Sequence, residues 1–187
     1  MSPVTQVQLI QISKEMNLNT SMCAKCGGEC CKEQPGITLP QQWGATAEEM
    51  LDNLAAAFTA GRWAIDWWEG DVDPDGDLDD VYFVRPHAVG FDADTLFHGA
   101  GHSRQCTFLS NTGCTLTAET RPDGCLALIP NKPHTCELKN DDHAKKKYAW
   151  AWHPYQDVVL AAAARVGADK ADRETDDVQP WWSSSLW

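Results

Sequence analysis

The sequence predicts a small, loop-rich α+β domain with short helices and one β-hairpin, organised around a cysteine-ligated metal site. Three observations support this. Helical and strand patterns occur only in short segments, turn-forming residues interrupt the region 88–139, and the 187-residue chain contains eight cysteines. The length fits one domain of about 150 residues better than two. Because the loop-rich region buries little apolar area, we expect the metal to contribute directly to folding.

The clearest helix is predicted over residues 46–60. It begins with a capping box, in which Thr46 is followed three residues later by Glu49. Its apolar residues then recur at helical spacing: Leu51, Leu54 and Phe58. Gly61 is a typical stop signal, and it ends the pattern.

A β-hairpin is predicted from residues 62–68 and 81–84, which are rich in aromatic and β-branched side chains. The acidic stretch 71–79 between them matches the first nine positions of a calcium loop. Position 12 of that loop is Tyr82 instead of a bidentate glutamate. A solvated hairpin turn is therefore favoured over a calcium site.

The C-terminal part of the domain is predicted to be one kinked helix or two abutting helices. The pattern starts at Asp141 or Asp142, is interrupted near Pro154 and ends at Gly167. Beyond it the chain is densely charged and ends in tryptophans. The chain is accordingly divided into an N-terminal segment (1–22), a cysteine-cluster domain (23–167) and an acidic tail (168–187).

Composition excludes some classes of function. Lys and Arg number 15 against 27 Asp and Glu, giving a net charge of −12. That charge repels nucleic acids and anionic membranes, so we expect neither as a partner. No apolar run approaches the roughly 18 residues that a membrane span requires. Residues 1–20 lack a secretory signal pattern, which predicts a cytoplasmic protein.

The cysteines are the candidate site. In a reducing compartment, clustered cysteines indicate metal ligation more readily than disulfides. The first group has a CxxC spacing followed by an adjacent pair, and the second is widely spaced. The predicted ligands are Cys23, Cys26, Cys30, Cys31, Cys106, Cys114, Cys125 and Cys136. Adjacent Cys30 and Cys31 point in different directions, so we expect a cysteine beyond residue 105 to complete the N-terminal set.

Histidines add a weaker signal. His98 and His102 have the i, i+4 spacing of a helical metal pair, but Gly99 and Gly101 between them oppose a helix. We therefore interpret them as ordinary surface histidines. His134 lies two residues before Cys136 and is the candidate mixed ligand if one cysteine does not bind.

The chain also has nine tryptophans. Five of them are expected to pack in the apolar core: Trp63, Trp67, Trp68, Trp150 and Trp152. Three others close the chain and are candidates for docking on this protein or on a protein partner: Trp181, Trp182 and Trp187.

Several stretches resemble the YkgJ-type cysteine-cluster family, described as zinc/iron-chelating CxxCxxCC domain proteins. They are Cys23-Ala-Lys-Cys26-Gly-Gly-Glu-Cys30-Cys31, Cys106-Thr-Phe-Leu, Gly113-Cys114-Thr-Leu, Arg121-Pro-Asp-Gly-Cys125 and Cys136. The resemblance covers roughly residues 20–160. Here three residues separate the second and third cysteines, where the family name implies two.

This resemblance implies a bound zinc ion or iron–sulfur cluster, and some relatives look like lysine methylases with a cluster in the cysteine-rich part. Four closely spaced cysteines with an adjacent pair suit a 4Fe-4S cluster slightly better than one tetrahedral zinc ion. Two functions stay open: a redox or transferase-associated iron–sulfur protein, and a structural zinc or iron module acting in protein assembly without catalysis. No nucleophile–base pair of recognisable spacing identifies an enzyme.

Overall fold

The computed structural model describes residues 27–28, 31–32, 35–68, 80–92, 95–98, 105–132, 135–138 and 141–169, without the side chains of residues 128–132, 135–138 and 141–145. The segment 1–22, the acidic loop 71–79 and the terminal tryptophans lie outside these ranges. The described part is a mixture of helices and small antiparallel sheets joined by loops. The predicted loop-rich α+β class is therefore confirmed for this part of the chain.

The predicted first helix is confirmed as α1, Ala47–Thr59. Thr46 caps it, since its hydroxyl oxygen accepts the Glu49 amide at 3.2 Å. The Glu49 carboxylate accepts the amide of Ala45 at 2.8 Å, which completes the reciprocal arrangement one residue earlier than in a standard capping box. The inner face of the helix consists of Met50, Leu54 and Phe58.

The predicted hairpin is also confirmed. Strands β1, Trp63–Trp68, and β2, Val81–Pro86, pair antiparallel, with Trp63 opposite Pro86 and Trp68 opposite Val81. Short segments extend the sheet at both edges. The Thr38 amide donates to the Val84 carbonyl at 3.0 Å beside β2, and a parallel bridge joins Ile65 of β1 to Phe97.

The two faces of this sheet differ in polarity although both are buried. Side chains alternate along a strand, so one face carries apolar residues such as Ile65 and Val84. The other face carries Asp66 from β1 and Arg85 from β2 as a buried ion pair of 2.6 Å. The hairpin sequences thus place two charged groups inside the domain.

The following region consists of short elements, as predicted. Strand β3 pairs with β4, a five-residue helix α2 follows, and β5 pairs with β6. Their bounds are Leu109–Ser110, Gly113–Cys114, Asp123–Ala127, Leu128–Lys132 and Thr135–Leu138.

Two abutting helices form the C-terminal part: α3, Asp141–Trp152, and α4, Gln156–Arg165, with a 3-10 turn at Pro154 between them. Gly167 ends α4 with a φ of 82°, which favours glycine. This outcome matches the sequence-based prediction. None of the helices in the described ranges is long and apolar enough to cross a membrane.

The apolar core lies between α1, α4 and the sheet. Gln156 ties α4 to β2, because its side chain accepts the Tyr82 amide at 2.7 Å and donates to the Tyr82 carbonyl at 3.0 Å. Trp152 is fully buried, as predicted, and its indole donates to the Thr38 carbonyl at 2.7 Å. The core placement predicted for Trp150 is wrong: its side chain is 47% exposed. Residues two positions apart lie about 200° apart around the helix axis. When Trp152 faces the core, Trp150 therefore faces outward.

Candidate metal centre

The structure describes half of the predicted cysteine ligands with their side chains: Cys31, Cys106, Cys114 and Cys125. Cys136 lies in β6 without a described side chain, and three lie outside the described residues: Cys23, Cys26 and Cys30. Among the described residues, no three histidine, cysteine or acidic side chains converge on one point. Ligation by the eight cysteines therefore stays a prediction, and the described residues show which parts of the chain meet.

A glycine turn leads into the first described cysteine. Gly27 and Gly28 have φ values of 69° and 74°, a left-handed conformation that non-glycine residues rarely adopt. A Cβ on Gly28 would also lie 2.5 Å from the Leu109 side chain. The Cys31 amide then donates to the Gly28 carbonyl at 2.8 Å. The three-residue spacing after Cys26 thus contains a tight turn that packs directly on β3.

The two cysteine groups meet through the backbone. The Cys106 amide donates to the Cys31 carbonyl at 2.7 Å, joining residues 75 positions apart. Cys106 is held from its other side by an antiparallel bridge to Ala88, next to β2. The end of the first cysteine group and the start of the second are therefore fixed against each other.

Cys106 is a buried thiol whose sulfur accepts a backbone hydrogen bond. The donor is the Phe108 amide, at 3.4 Å. Burial raises the pKa of the Cys106 thiol to about 11, although the Phe108 amide and the Arg62 charge act in the opposite direction. An isolated thiol here holds its proton at neutral pH, and a metal would have to displace that proton.

Cys114 lies in β4, on the β3–β4 hairpin that follows Cys106 in the chain. The hairpin pairs Leu109 with Cys114, and its turn closes on Gly113, whose φ is 105°. A charge on Cys114 would add to the raised pKa of Cys106, after the larger effect of burial. Cys114 is half-buried, so these two cysteines combine a buried sulfur with an accessible one.

Cys125 lies in α2, against the segment that follows Cys31. A Cβ on Gly36 would lie 2.5 Å from the Cys125 amide nitrogen and 2.6 Å from its sulfur. The Gly124 amide donates to the Ile37 carbonyl at 2.9 Å. Glycine is thus required at both positions for the two segments to approach this closely.

Side-chain hydrogen bonds hold α2 in place. Gln42 accepts the Asp123 amide at 3.0 Å and donates to the Arg121 carbonyl at 2.8 Å. The Asp123 carboxylate accepts the Tyr148 hydroxyl at 2.7 Å and pairs with Lys147 at 2.6 Å. Burial, together with the Asp123 charge, raises the pKa of Tyr148, so its hydroxyl stays a donor at neutral pH. These bonds hold α2, and Cys125 within it, in a fixed position although the helix has only five residues.

Thiol side chains are suitable ligands for a thiophilic metal or cluster, so the chemistry of the described cysteines fits such a group. Among the described residues, the two cysteine groups meet through the backbones of Cys31 and Cys106, and one amide donates to the Cys106 sulfur. Amide hydrogen bonds to sulfur are among the features that tune cysteine-ligated iron–sulfur clusters.

Gly36 provides a test of this packing. We expect Gly36→Ala to reduce metal content and to destabilise the protein by about 1 to 3 kcal/mol, because the added methyl group meets the Cys125 backbone and sulfur. Gly44→Ala is the matched control, since its Cβ would lie 2.7 Å from the Met50 amide nitrogen, at the start of α1. Metal analysis and thermal melts of both variants check this. An equal loss of metal in the two variants would attribute the effect to general destabilisation.

One face of the sheet carries a set of buried polar residues that the sequence patterns do not predict. His98 was predicted to be an ordinary surface residue, and this is wrong: its side chain is 0% exposed. The parallel bridge of neighbouring Phe97 to Ile65 draws it inward. Asp66, Arg85 and His87 are buried as well. The signal in the sequence was a charged residue inside each of two otherwise apolar strands.

Comparisons of the chain with protein-family models, with curated proteins and with solved structures found no match.

Proposed function

We propose that this chain is a metal-binding protein that carries an iron–sulfur cluster, or failing that zinc, on cysteine thiolates from both cysteine groups. The observation that carries the proposal is the 2.7 Å hydrogen bond from the Cys106 amide to the Cys31 carbonyl. It joins Cys31, the last cysteine of the first group, to Cys106, the first cysteine of the second group. If the two cysteine groups had unrelated functions, the fold would not need to bring Cys31 and Cys106 together.

The chemistry of the described cysteines supports the proposal. The buried Cys106 sulfur has an amide donor, and Cys114 is half-buried. A bound cluster would supply one-electron redox chemistry or a Lewis-acidic iron, whereas zinc would supply a structural cross-link. The protein contributes to such a site by fixing the positions of the thiols in short turns and by burying the Cys106 side chain.

The resemblance to YkgJ-type cysteine-cluster proteins agrees with this proposal, and membership of that family is part of it. A redox or transferase-associated role fits the half-buried position of Cys114, because an accessible edge of a cluster can exchange electrons or contact a substrate. We further propose a cytoplasmic location and a protein partner at the C-terminal tryptophans. The net charge of −12 argues against a nucleic-acid partner.

Metal content is the direct test. Protein purified without oxygen is expected to contain stoichiometric iron with acid-labile sulfide, or otherwise stoichiometric zinc. Elemental analysis, sulfide determination and the visible absorption spectrum distinguish the two. A well-folded preparation without any metal would contradict both forms of the proposal.

A further inference from the structure

An open groove lies where the C-terminal ends of α1 and α4 meet beside the start of β1. Its volume is about 670 Å³, which is within the range of natural ligand pockets. The side chains of Phe58 and Leu96 are buried in its lining, and Trp63 beside them is half-buried. The groove therefore offers apolar and aromatic surface to a ligand.

Part of this apolar surface is in contact with water. Val166 lines the groove and is 37% exposed, which places it among the exposed large apolar side chains of the described residues. Trp63 is fixed by ring contacts with Trp43 at 4.9 Å and with Phe108 at 5.2 Å. An apolar group that entered the groove would remove the surface of Val166 and Trp63 from water, which is favourable.

The helix ends add hydrogen-bond acceptors to the apolar lining. The last carbonyl groups of an α-helix lack intrahelical partners, and the final residues of both α1 and α4 line the groove. The terminal turns use some of these carbonyls. A tryptophan side chain combines a large apolar ring with one N–H donor, which needs an acceptor when the ring is buried. The groove thus has the two features that an indole requires.

The turn that ends α4 starts the following segment at the groove. The amide of Gly167 donates to the Ala164 carbonyl and the amide of Ala168 donates to the Ala163 carbonyl, each at 3.1 Å. These are the paired bonds of a Schellman turn. Ala168 then packs against the apolar core and is itself part of the groove lining. The acidic tail therefore begins in the wall of the groove.

The acidic tail carries tryptophans at a suitable distance from its start. The structure describes the chain as far as Asp169, and Trp181 follows that residue by 12 positions. An extended chain of that length reaches about 40 Å, so an indole can return to the groove.

The charges of the tail are separated from its tryptophans. Residues 169–177 contain five acidic and two basic side chains, whereas residues 178–187 contain none. Arg165 lines the groove with 48% of its side chain exposed, and it places a positive charge where the acidic stretch begins. The acidic stretch can therefore form a hydrated loop while the uncharged part of the tail contacts the groove.

We propose that the groove between the ends of α1 and α4 binds an indole of the Trp181–Trp182 pair from the same chain. Adjacent side chains of an extended segment point to opposite sides, so one of the two rings enters the groove. A short linker gives the indole an effective concentration of the order of millimolar, which favours the tail of the same chain over that of a second copy. This contact goes beyond the proposed metal binding and does not depend on the cysteines. A protein partner that binds these tryptophans would have to compete with the groove.

Fluorine NMR of the full-length protein labelled with fluorotryptophan tests this contact. Trp181→Phe and Trp182→Phe assign two of the nine tryptophan signals. A soluble gadolinium chelate broadens the signals of exposed rings. We expect at least one of the two signals to broaden severalfold less than in the same protein unfolded in urea, and to keep this protection after dilution.

Two outcomes of this measurement would overturn the proposal without any change to the groove. If both signals broaden as much as in the unfolded chain, neither indole is bound. If the protection is lost on dilution, the groove binds the tail of a second copy instead of its own.

Val166→Glu and Val89→Glu identify the groove as the binding surface. The first variant places a charge in the lining, and the second makes the same change at a valine outside the groove that is 50% exposed. We expect Val166→Glu to restore the broadening seen in the unfolded chain and Val89→Glu to leave the protection intact. A signal that stays protected in Val166→Glu, or that loses protection equally in both variants, would overturn the proposal.

Metal analysis of the same samples separates this inference from the proposed function. We expect Val166→Glu to keep the metal content of the wild type, because the groove does not include the cysteines. Iron and sulfide in a protein whose Trp181 and Trp182 signals are both exposed would support the proposed function and overturn this inference alone.

Discussion

Replacing Arg85 by methionine is expected to lower the free energy of unfolding at pH 7 by about 3 to 5 kcal/mol, because it leaves Asp66 buried without its counterion. The side chains of the pair are 5% and 1% exposed, and Arg85 Nη2 lies 2.6 Å from Asp66 Oδ2. The Trp67 amide, 2.8 Å from the carboxylate, would remain as a donor, but an amide does not neutralise the charge. Urea unfolding of the variant and the wild type measures the loss.

Two further variants identify the cause. Arg165→Met is the matched control, since Arg165 pairs with Asp52 on the surface and its loss is expected to cost no more than about 1 kcal/mol. Adding Asp66→Asn to Arg85→Met should recover most of the loss, because no charge is then left buried. If Arg85→Met is as stable as Arg165→Met, the buried Asp66–Arg85 pair does not contribute more to the free energy of unfolding than a surface pair does.

The same pair predicts a pH dependence. Burial raises the pKa of Asp66 from 3.8 to about 6, although the Arg85 charge and the Trp67 amide oppose the shift. The folded protein therefore holds this proton more tightly than the unfolded chain does. The resulting stabilisation is present below pH 3.8 and is lost as the pH rises through about 6. Without Arg85 the pKa of Asp66 rises further, so the deficit of Arg85→Met should shrink as the pH is lowered from about 7 to about 5.

The helices could be predicted from the sequence because their start and stop signals lie within the segments themselves. The cap at Thr46 and the stop at Gly61 locate α1, and Pro154 divides the C-terminal helix where the structure has a 3-10 turn. The β5–β6 hairpin was not predicted because Pro130 lies opposite Cys136 within it, and proline opposes strand pairing. Its pairing depends on context that a short window of sequence does not contain.

For the candidate site and the buried polar residues as well, local sequence predicts the residue types but not the contacts made in the tertiary fold. Cysteine spacing predicts the type of ligand, but the contact of Cys31 with Cys106 depends on how the sheet folds between them. Glycines beside His98 predicted a surface position, since local sequence carries no information about the bridge that buries its neighbour Phe97. The charge pair Asp66–Arg85 likewise becomes visible only once the strand register is known.

Cysteine substitution in the second group is expected to unfold the domain, because the proposed site cross-links distant parts of the chain. Cys31 and Cys106 are 75 residues apart and already share a backbone hydrogen bond. Closing a loop of that length restricts the unfolded chain by about 4 kcal/mol in the cross-link model. Total stabilities are only about 5 to 15 kcal/mol, so a domain near the lower end of that range would keep almost no stability after such a loss.

Cys125→Ser and Cys26→Ser, made separately, test whether the site is shared. Cys125 is half-buried, so a serine hydroxyl there can be hydrated and the substitution itself costs little. We expect both variants to lose metal and protease resistance together, since a cluster that spans both cysteine groups fails when either group is incomplete. Metal analysis and limited proteolysis of each variant measure this. If Cys125→Ser keeps its full metal content and stability while Cys26→Ser loses both, the N-terminal cysteines form a sufficient site on their own. The contact between Cys31 and Cys106 would then serve packing without a shared metal.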